Sequence, residues 1–332
     1  MKNDSPLSAL IRSKLVSVLN RTPPVLASFD SDFEKNLSAF SRFAAEYPGT
    51  VVLLQLGYEH ETPALARQLT EAVSQFKGSA PRARVIILCN YDRECSALGD
   101  LGNEIRLIHQ NCFLDERRYC PLPGKKIYDA VYLARLTPCK RHELIPPEMA
   151  PRLLLMGTYA YRSEHEYSDM VHQRYAAAKW VGFFSGAKIS LYLANARCGL
   201  ILSAREGASF CSSEYLMCGL PIVDTPAIGG RSVLYPEEYV KFVDATTDAV
   251  GAGVEYWATH PTDPARIRAA WLAKAEPHRA EYRKLMRDLT GKTPTPIHKL
   301  GLRTPHPGGL YSHAIRMYLA IQKLRLKIAP ER

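Results

Sequence analysis

Glu206 and Glu214 stand eight positions apart in the stretch Ser203-Ala-Arg-Glu206-Gly207-Ala208-Ser209 through Glu214 to Cys218-Gly219-Leu220-Pro221-Ile222-Val223. The first ends an apolar, strand-like run and opens a glycine-containing turn. The second lies about two turns into the helix that follows. This layout brings two carboxylates and a helix N-terminus to one rim of a sheet. A carboxylate accepts from two neighbouring hydroxyls, and helix N-terminal amides carry partial positive charge that suits phosphate. A ligand with paired hydroxyls and a diphosphate needs those groups together.

Other chemistries lose their support. No Gly-x-Gly-x-x-Gly follows a strand, and Walker A, Gly-x-Ser-x-Gly and His-Glu-x-x-His motifs are absent. Dehydrogenase, P-loop hydrolase, serine hydrolase and zinc-protease readings weaken accordingly. The eight cysteines form no Cys-x-x-Cys pair, which argues against zinc or a disulfide framework and for reduced thiols in the cytoplasm. The 332 residues are 46% hydrophobic and 23% charged, as in a globular protein of two domains. No apolar run reaches the roughly 18 residues of a membrane span, and Met1-Lys-Asn-Asp-Ser-Pro does not begin a secretory signal. The net charge of +10 favours anionic partners, nucleotide phosphates or the headgroups of a membrane's inner face. A basic-aromatic stripe is missing, so nucleic acid is not an expected partner.

The elements that must position the glutamates read as an α/β alternation. Residues 1–22 read as an N-terminal helical segment, with Leu7, Leu10, Ile11, Leu15 and Leu19 on one face. Residues 23–115 alternate strands (Val25–Phe29, Thr50–Leu56, Arg84–Cys89, Ile105–His109) with helices (Phe33–Tyr47, Pro63–Phe76). Pro121, Pro123 and Gly124 mark a linker. Residues 125–290 repeat the alternation. The strands are Ile127–Ala134, Arg152–Met156, Lys179–Val181, Gly199–Ser203, Ile222–Asp224 and Lys241–Val243. Helices are placed near Glu166–Ala178, Lys188–Ala194, Phe210–Met217 and Pro236–Val240, and over Thr262–Thr290. Residues 291–332 read as a Pro-rich connection and an amphipathic helix, Leu310–Lys327. Repeated βα units with apolar strands predict two Rossmann-like, doubly wound parallel-sheet domains facing a cleft, the first of them small.

The Glu206–Glu214 element resembles the Glu-x7-Glu motif of retaining glycosyltransferases of the two-domain B fold, especially family four. Its flanks match too, Ser-x-x-Glu-Gly before it and Cys-Gly-Leu-Pro after it. Upstream, Val131-Tyr-Leu-Ala134-Arg135-Leu-Thr-Pro-Cys-Lys140 is similar to the family's strand–Gly-Arg-Leu-x-x-x-Lys segment, with Ala134 for the usual glycine. Asn111-Cys-Phe-Leu-Asp115 through Tyr119-Cys-Pro121 resembles the element that crosses between the domains, and Leu155-Met-Gly157 resembles the strand end of the next unit. The resemblance covers roughly residues 105 to 245.

It implies a donor site for a nucleotide-diphosphate sugar, with no cofactor or metal required. Arg135 and Lys140 would stabilise the departing diphosphate. Glu206 would accept from the transferred sugar, and Glu214 from the ribose. The amides of Gly207, Ala208 and Ser209 would face phosphate or sugar. Gly182 and Phe183 would hold the nucleobase by backbone contacts, and His60 is a candidate to reach over the sugar. The family's Gly-rich loop after the first strand is absent, because that strand ends Ser28-Phe29-Asp30-Ser31-Asp32. The expectation is a retaining transferase acting on a glycan or lipid-linked acceptor in bacterial surface polysaccharide assembly. The alternative is a sugar-nucleotide-binding or scaffolding module without turnover.

Overall fold

A computed structural model describes residues 16–159, 161–182 and 187–293. The segment before residue 16, Phe183 and the predicted C-terminal helix lie outside the described residues. The first sheet contains β1 (Ser17–Arg21), β2 (Pro24–Phe29), β3 (Val51–Gln55), β4 (Arg84–Cys89) and β5 (Glu104–Leu107) in that spatial order. Strand β1 runs antiparallel to β2, and β2 to β5 are parallel. The end of the expected N-terminal helix is therefore corrected: Ser17–Arg21 forms a hairpin with Pro24–Phe29. The β-branched Val16 and Val18 and the turn at Thr22-Pro23 favour extended chain over helix.

Helices α1 (Asp30–Lys35), α2 (Leu37–Glu46), α3 (Pro63–Ser79) and α4 (Asp92–Gly99) connect these strands. The single helix expected over Phe33–Tyr47 breaks at Asn36, whose φ of −125° leaves the helical region. The parallel strands follow one another in space as in sequence. Right-handed crossovers then place every connecting helix on one face, so this sheet is wound one way only. Strand residues Leu26, Val52, Leu54, Val85 and Ile87 pack there with Phe33, Phe40, Leu69 and Phe76. Phe33 meets Phe40 and Phe76 edge to face, with centroids 5.1 and 5.4 Å apart. The alternate residues Val25, Val51, Leu53, Ile86 and Leu88 belong to a different cluster, shared with Ile108, Phe113 and Tyr282.

The second sheet comprises β6 (Tyr128–Leu133), β7 (Leu153–Met156), β8 (Lys179–Val181), β9 (Ala196–Ile201), β10 (Ile222–Asp224) and β11 (Val240–Phe242). All are parallel, in the order β11-β10-β9-β6-β7-β8. The chain winds outward from β6 to β8, then returns past β6 to lay down β9. The order reverses between β6 and β9, which opens a crevice at their carboxyl ends. Helices α5 (His165–Arg174), α6 (Ala187–Leu193), α7 (Phe210–Met217) and α8 (Thr247–Thr259) complete the unit. Apolar clusters lie on both faces of this sheet.

The long helix α9 (Pro264–Thr290) ties the two units together. Asp263 caps it by accepting from the Ala265 amide at 2.9 Å, and Gly291 ends it at a φ of +69°. Trp271 Nε1 donates to Ser213 Oγ on α7 at 3.2 Å. Arg279 Nε donates to Cys112 O at 2.8 Å in the crossover segment, and His278 Nδ1 accepts from the His109 amide at 3.2 Å. Tyr282 packs edge to face on Phe113, 4.9 Å between centroids.

Candidate active site

The crevice between β6 and β9 receives one charged residue from each strand's carboxyl end. From β6 the chain passes Arg135 into a short 3-10 turn, Pro138–Lys140. From β9 it passes Ser203 to Glu206. Lys140 Nζ donates to Glu206 Oε1 at 2.8 Å, and Ser203 Oγ donates to Glu206 Oε2. Both partners of the ion pair are mostly enclosed, with side-chain exposures of 20% and 17%. Burial alone would raise the Glu206 carboxyl. The charge and hydrogen bond of Lys140, then the Ser203 hydroxyl, outweigh it and hold the pKa below the usual carboxylate value. Burial likewise opposes the Lys140 ammonium, but Glu206 outweighs it and keeps the lysine charged.

The pair is held from behind. Tyr132 OH donates to Lys140 O at 2.5 Å. Arg141, at a left-handed φ of +50°, donates to Leu202 O at 2.5 Å and to Thr225 Oγ1 at 2.9 Å. Arg231 is buried beneath them. It donates to Ser203 Oγ at 2.8 Å and Ser203 O at 2.5 Å, and it pairs with the Asp224 carboxylate. Arg231 therefore orients Ser203, and Ser203 orients Glu206. Glycine is required at position 229: its φ is +119°, and a Cβ there would lie 2.1 Å from Glu206 O. That turn lets the Glu206 amide donate to Ile228 O at 2.8 Å.

Gly207, Ala208 and Ser209 form the loop that leads into α7. Ser209 Oγ accepts from the Ser212 amide at 3.4 Å as the N-cap. Asn111 Nδ2 holds the loop by donating to Ser209 O at 2.5 Å and Ser213 Oγ at 2.9 Å. Glu214 points inward from α7. Burial raises its pKa to about 7, against a hydrogen bond from Tyr119. Cys211 lies one turn earlier on α7, where burial pushes its thiol pKa up.

The other described residues of the predicted site have partners of their own. Arg135 lies at the rim, 41% exposed. Its Nε is 3.2 Å from Glu164 Oε1, and its guanidinium lies 5.7 Å over the Tyr161 ring. Gly182 is exposed at the end of β8. His60 is buried, with its polar partners in the first unit. Its Nε2 is 3.2 Å from Asp30 Oδ2, its Nδ1 donates to Tyr58 O at 3.0 Å, and its amide donates to Glu94 Oε1 at 3.0 Å.

Further contacts close the first unit onto the second. Arg205 Nε donates to Glu59 Oε1 at 3.0 Å. His109 Nε2 donates to Gly230 O at 3.3 Å, while its Nδ1 accepts from the Asn111 amide at 3.2 Å. A Cβ on Gly207 would lie 3.0 Å from the Tyr58 carbonyl, so the two backbones meet with no room for a side chain. Sequence reading missed Arg231, Asp30, Glu94 and the Glu59–Arg205 bridge. The Gly229-Gly230-Arg231 run just past β10 was the one available hint. Among the described residues no three His, Cys, Asp or Glu side chains are grouped to hold a metal ion.

No protein-family model matches the sequence, and no curated protein matches it. Solved structures do. Anabaena HepE in complex with UDP and glucose is 17% identical; the match covers 78% of this chain and 76% of HepE, with a TM-score of 0.59. Sucrose-phosphate synthase from Thermosynechococcus elongatus is 19% identical over 79% of each chain, with a TM-score of 0.55. OtsA without ligand is 12% identical over 81% of this chain and 73% of that one, with a TM-score of 0.57. The architecture is the two-domain B fold. At these identities the likeness establishes the arrangement of parallel-sheet, Rossmann-like units and nothing finer.

Proposed function

We propose that this protein is a retaining glycosyltransferase that uses a nucleotide-diphosphate sugar. The observation that carries the reading is the Lys140–Glu206 ion pair, 2.8 Å long, at the strand-order reversal of the second sheet. The HepE structures with UDP and with UDP-glucose support the donor class by likeness of fold.

In this reading the ionised Glu206 accepts from the hydroxyls of the transferred sugar. Lys140, already charged and fixed, stabilises the negative charge that grows on the diphosphate as the glycosidic bond breaks. Arg135 contributes a second cation at the rim, and Glu214 accepts from the ribose hydroxyls. The amides of Gly207, Ala208 and Ser209 meet phosphate or sugar, and Gly182 and Phe183 meet the base. The acceptor hydroxyl attacks the face that the diphosphate leaves, and a departing phosphate oxygen takes its proton. No side-chain base is needed, and the chemistry proposed requires neither a metal nor a cofactor.

The acceptor proposed is a glycan or lipid-linked glycan in bacterial surface polysaccharide assembly. The net charge of +10 supports work at the inner face of an anionic membrane, and no described helix is long and apolar enough to cross one.

The test is a thermal-shift screen with UDP, GDP, ADP and their sugars. A ligand at a hundred times its Kd stabilises by about 2.7 kcal/mol. One nucleotide diphosphate is expected to do so, with its sugar turned over. Stabilisation without hydrolysis or transfer would turn the reading into a binding module, and no stabilisation by any of them would end it.

A further inference from the structure

Two cysteines meet where the first sheet gives way to α4. Cys89 is the last residue of β4, and Cys95 lies one turn into the helix. The Cys95 amide donates to Tyr91 O at 3.0 Å, which closes that turn. Both side chains face the apolar layer between the sheet and its helices. Cys89 is fully buried in that layer, and Cys95 packs against it half-buried. The two thiols are hydrogen-bonded to each other. That bond, together with burial, pushes the Cys89 thiol up and keeps its proton in place. The same bond holds Cys95 below the usual thiol value, against burial and the charges of Glu94 and Asp92. Elsewhere burial pushes the thiols of Cys112, Cys198 and Cys211 up, away from reactivity.

The segment between the two cysteines holds other parts of the molecule in place. Asn90 Oδ1 accepts from the Gln110 amide at 2.9 Å. Glu94 accepts from the Asn90 amide at 2.7 Å and from the His60 amide at 3.0 Å, so it anchors the loop after β3. The Tyr91 ring seats on Gly230, where a Cβ would lie 2.3 Å from its Cδ1. Gly230 directly precedes Arg231, which orients Ser203 behind Glu206. A disulfide holds its sulfurs about 2.0 Å apart, much closer than two hydrogen-bonded thiols. Closing one here draws the first turn of α4 toward the end of β4 and carries Tyr91 and Glu94 with it.

We propose that Cys89 and Cys95 are a peroxide-sensitive dithiol whose closure to a disulfide loosens the 57–61 loop and the seat of Tyr91 on Gly230. Cys95 is the attacking thiolate. Its sulfur bonds to one oxygen of hydrogen peroxide, the O–O bond breaks, and the other oxygen leaves as hydroxide and takes up the Cys95 proton as water. Cys89 then attacks the resulting sulfenic acid. The S–S bond forms, the S–O bond breaks, and the departing hydroxide takes the Cys89 proton. In sum, two thiols give two electrons and two protons to one peroxide, which leaves as two waters. A thiol reductant reverses the closure. None of this chemistry requires the transferase reading.

Peptide mapping of the full chain tests it. The reduced protein is treated with equimolar hydrogen peroxide, its free thiols are alkylated, and it is digested with trypsin. Arg93 lies between the two cysteines, so their disulfide joins residues 85–93 to residues 94–106. That linked pair is expected in the parent, lost with dithiothreitol and absent from Cys95→Ser. Cys89→Ala should instead leave Cys95 as a sulfenic acid that dimedone labels. Limited proteolysis of the 57–61 loop should run about 2- to 5-fold faster in the oxidised parent than in the reduced one, with peroxide making no difference to Cys95→Ser. No linked pair in the parent, or a link that joins another cysteine in its place, overturns the dithiol. A linked pair with unchanged cleavage of the loop overturns the switch.

Discussion

The two units treat buried charge in opposite ways. In the second, carboxylates at the strand ends are matched by cations: Glu206 by Lys140, Asp224 by Arg231. In the first, they are matched by backbone amides and one histidine. Asp30 Oδ1 accepts from the Ser31 amide at 2.7 Å and the Gly57 amide at 3.1 Å. Glu94 accepts from the Asn90 amide at 2.7 Å and the His60 amide at 3.0 Å. The amides that could greet a phosphate at the first sheet are already taken by the protein's own carboxylates. The missing glycine loop after β2 has this physical counterpart. The second unit instead holds the fixed Lys140 and the rim Arg135 past the end of β6, the cations assigned above to the proposed diphosphate.

The largest effect that can break this contrast is at Arg231. Arg231→Met leaves Asp224 buried without its partner, and is expected to cost about 3–5 kcal/mol in denaturant unfolding. Asp224→Asn with Arg231→Met together should recover part of that loss. A loss under about 1 kcal/mol for the single variant would show that the cation does not hold the Ser203–Glu206 geometry.

Next in size is the response to pH. The folded pKa of Glu214 is about 7, against 4.5 for the unfolded chain. Between those values the unfolded state has lost its proton and the folded state has not, so stability falls as pH rises from about 4.5 to about 7. The full loss, on the order of 3 kcal/mol, persists above pH 7. Glu214→Gln should therefore raise the Tm at pH 8 and leave it unchanged at pH 4. Glu94 is also raised to about 7, mainly by burial, but each of its two oxygens accepts from a backbone amide. Glu94→Gln would set an NH2 group against an N–H, so it should bring no gain at pH 8. Equal gains from both substitutions would erase the distinction between the units. His109 works with the opposite sign. Burial lowers its pKa to about 3, so its contribution is lost as pH falls from 6.5 toward 3.

The smallest expected effect is at the surface bridge between the units. Arg205 is 48% exposed, so Glu59→Gln should change stability by only about 0–1 kcal/mol. Gly207→Ala, by contrast, forces a methyl against the Tyr58 backbone and should loosen unit closure, seen as faster limited proteolysis of the 57–61 loop.

Much of the framework was legible because parallel strands are apolar and short. Arg84–Cys89, Lys179–Val181 and Ile222–Asp224 form where the run of apolar residues placed them. Helices α4 and α8 escaped notice. The first is short and polar. The second carries Gly251 and Gly253, residues of low helix propensity, yet a Cβ at 253 would lie 2.8 Å from Val223. That glycine lets the helix approach the sheet. In the site, the meeting of Lys140 and Glu206 was foreshadowed by motif spacing. The role of Arg231 was not, because its partners Ser203, Asp224 and Thr225 come from two strand ends joined only by the sheet. The burial of His60 was not legible for a similar reason: Asp30 and Glu94, which pack around it, are remote from it in sequence.

The central claim is that Lys140 and Glu206 act together on a nucleotide sugar. Its most direct test is the transfer rate of Lys140→Ala and Glu206→Ala with the donor that the parent uses, each variant checked for a native melting transition. The account predicts that each falls about 10²- to 10³-fold, as for other groups that stabilise developing charge. Folded variants that transfer sugar as fast as the parent would contradict it.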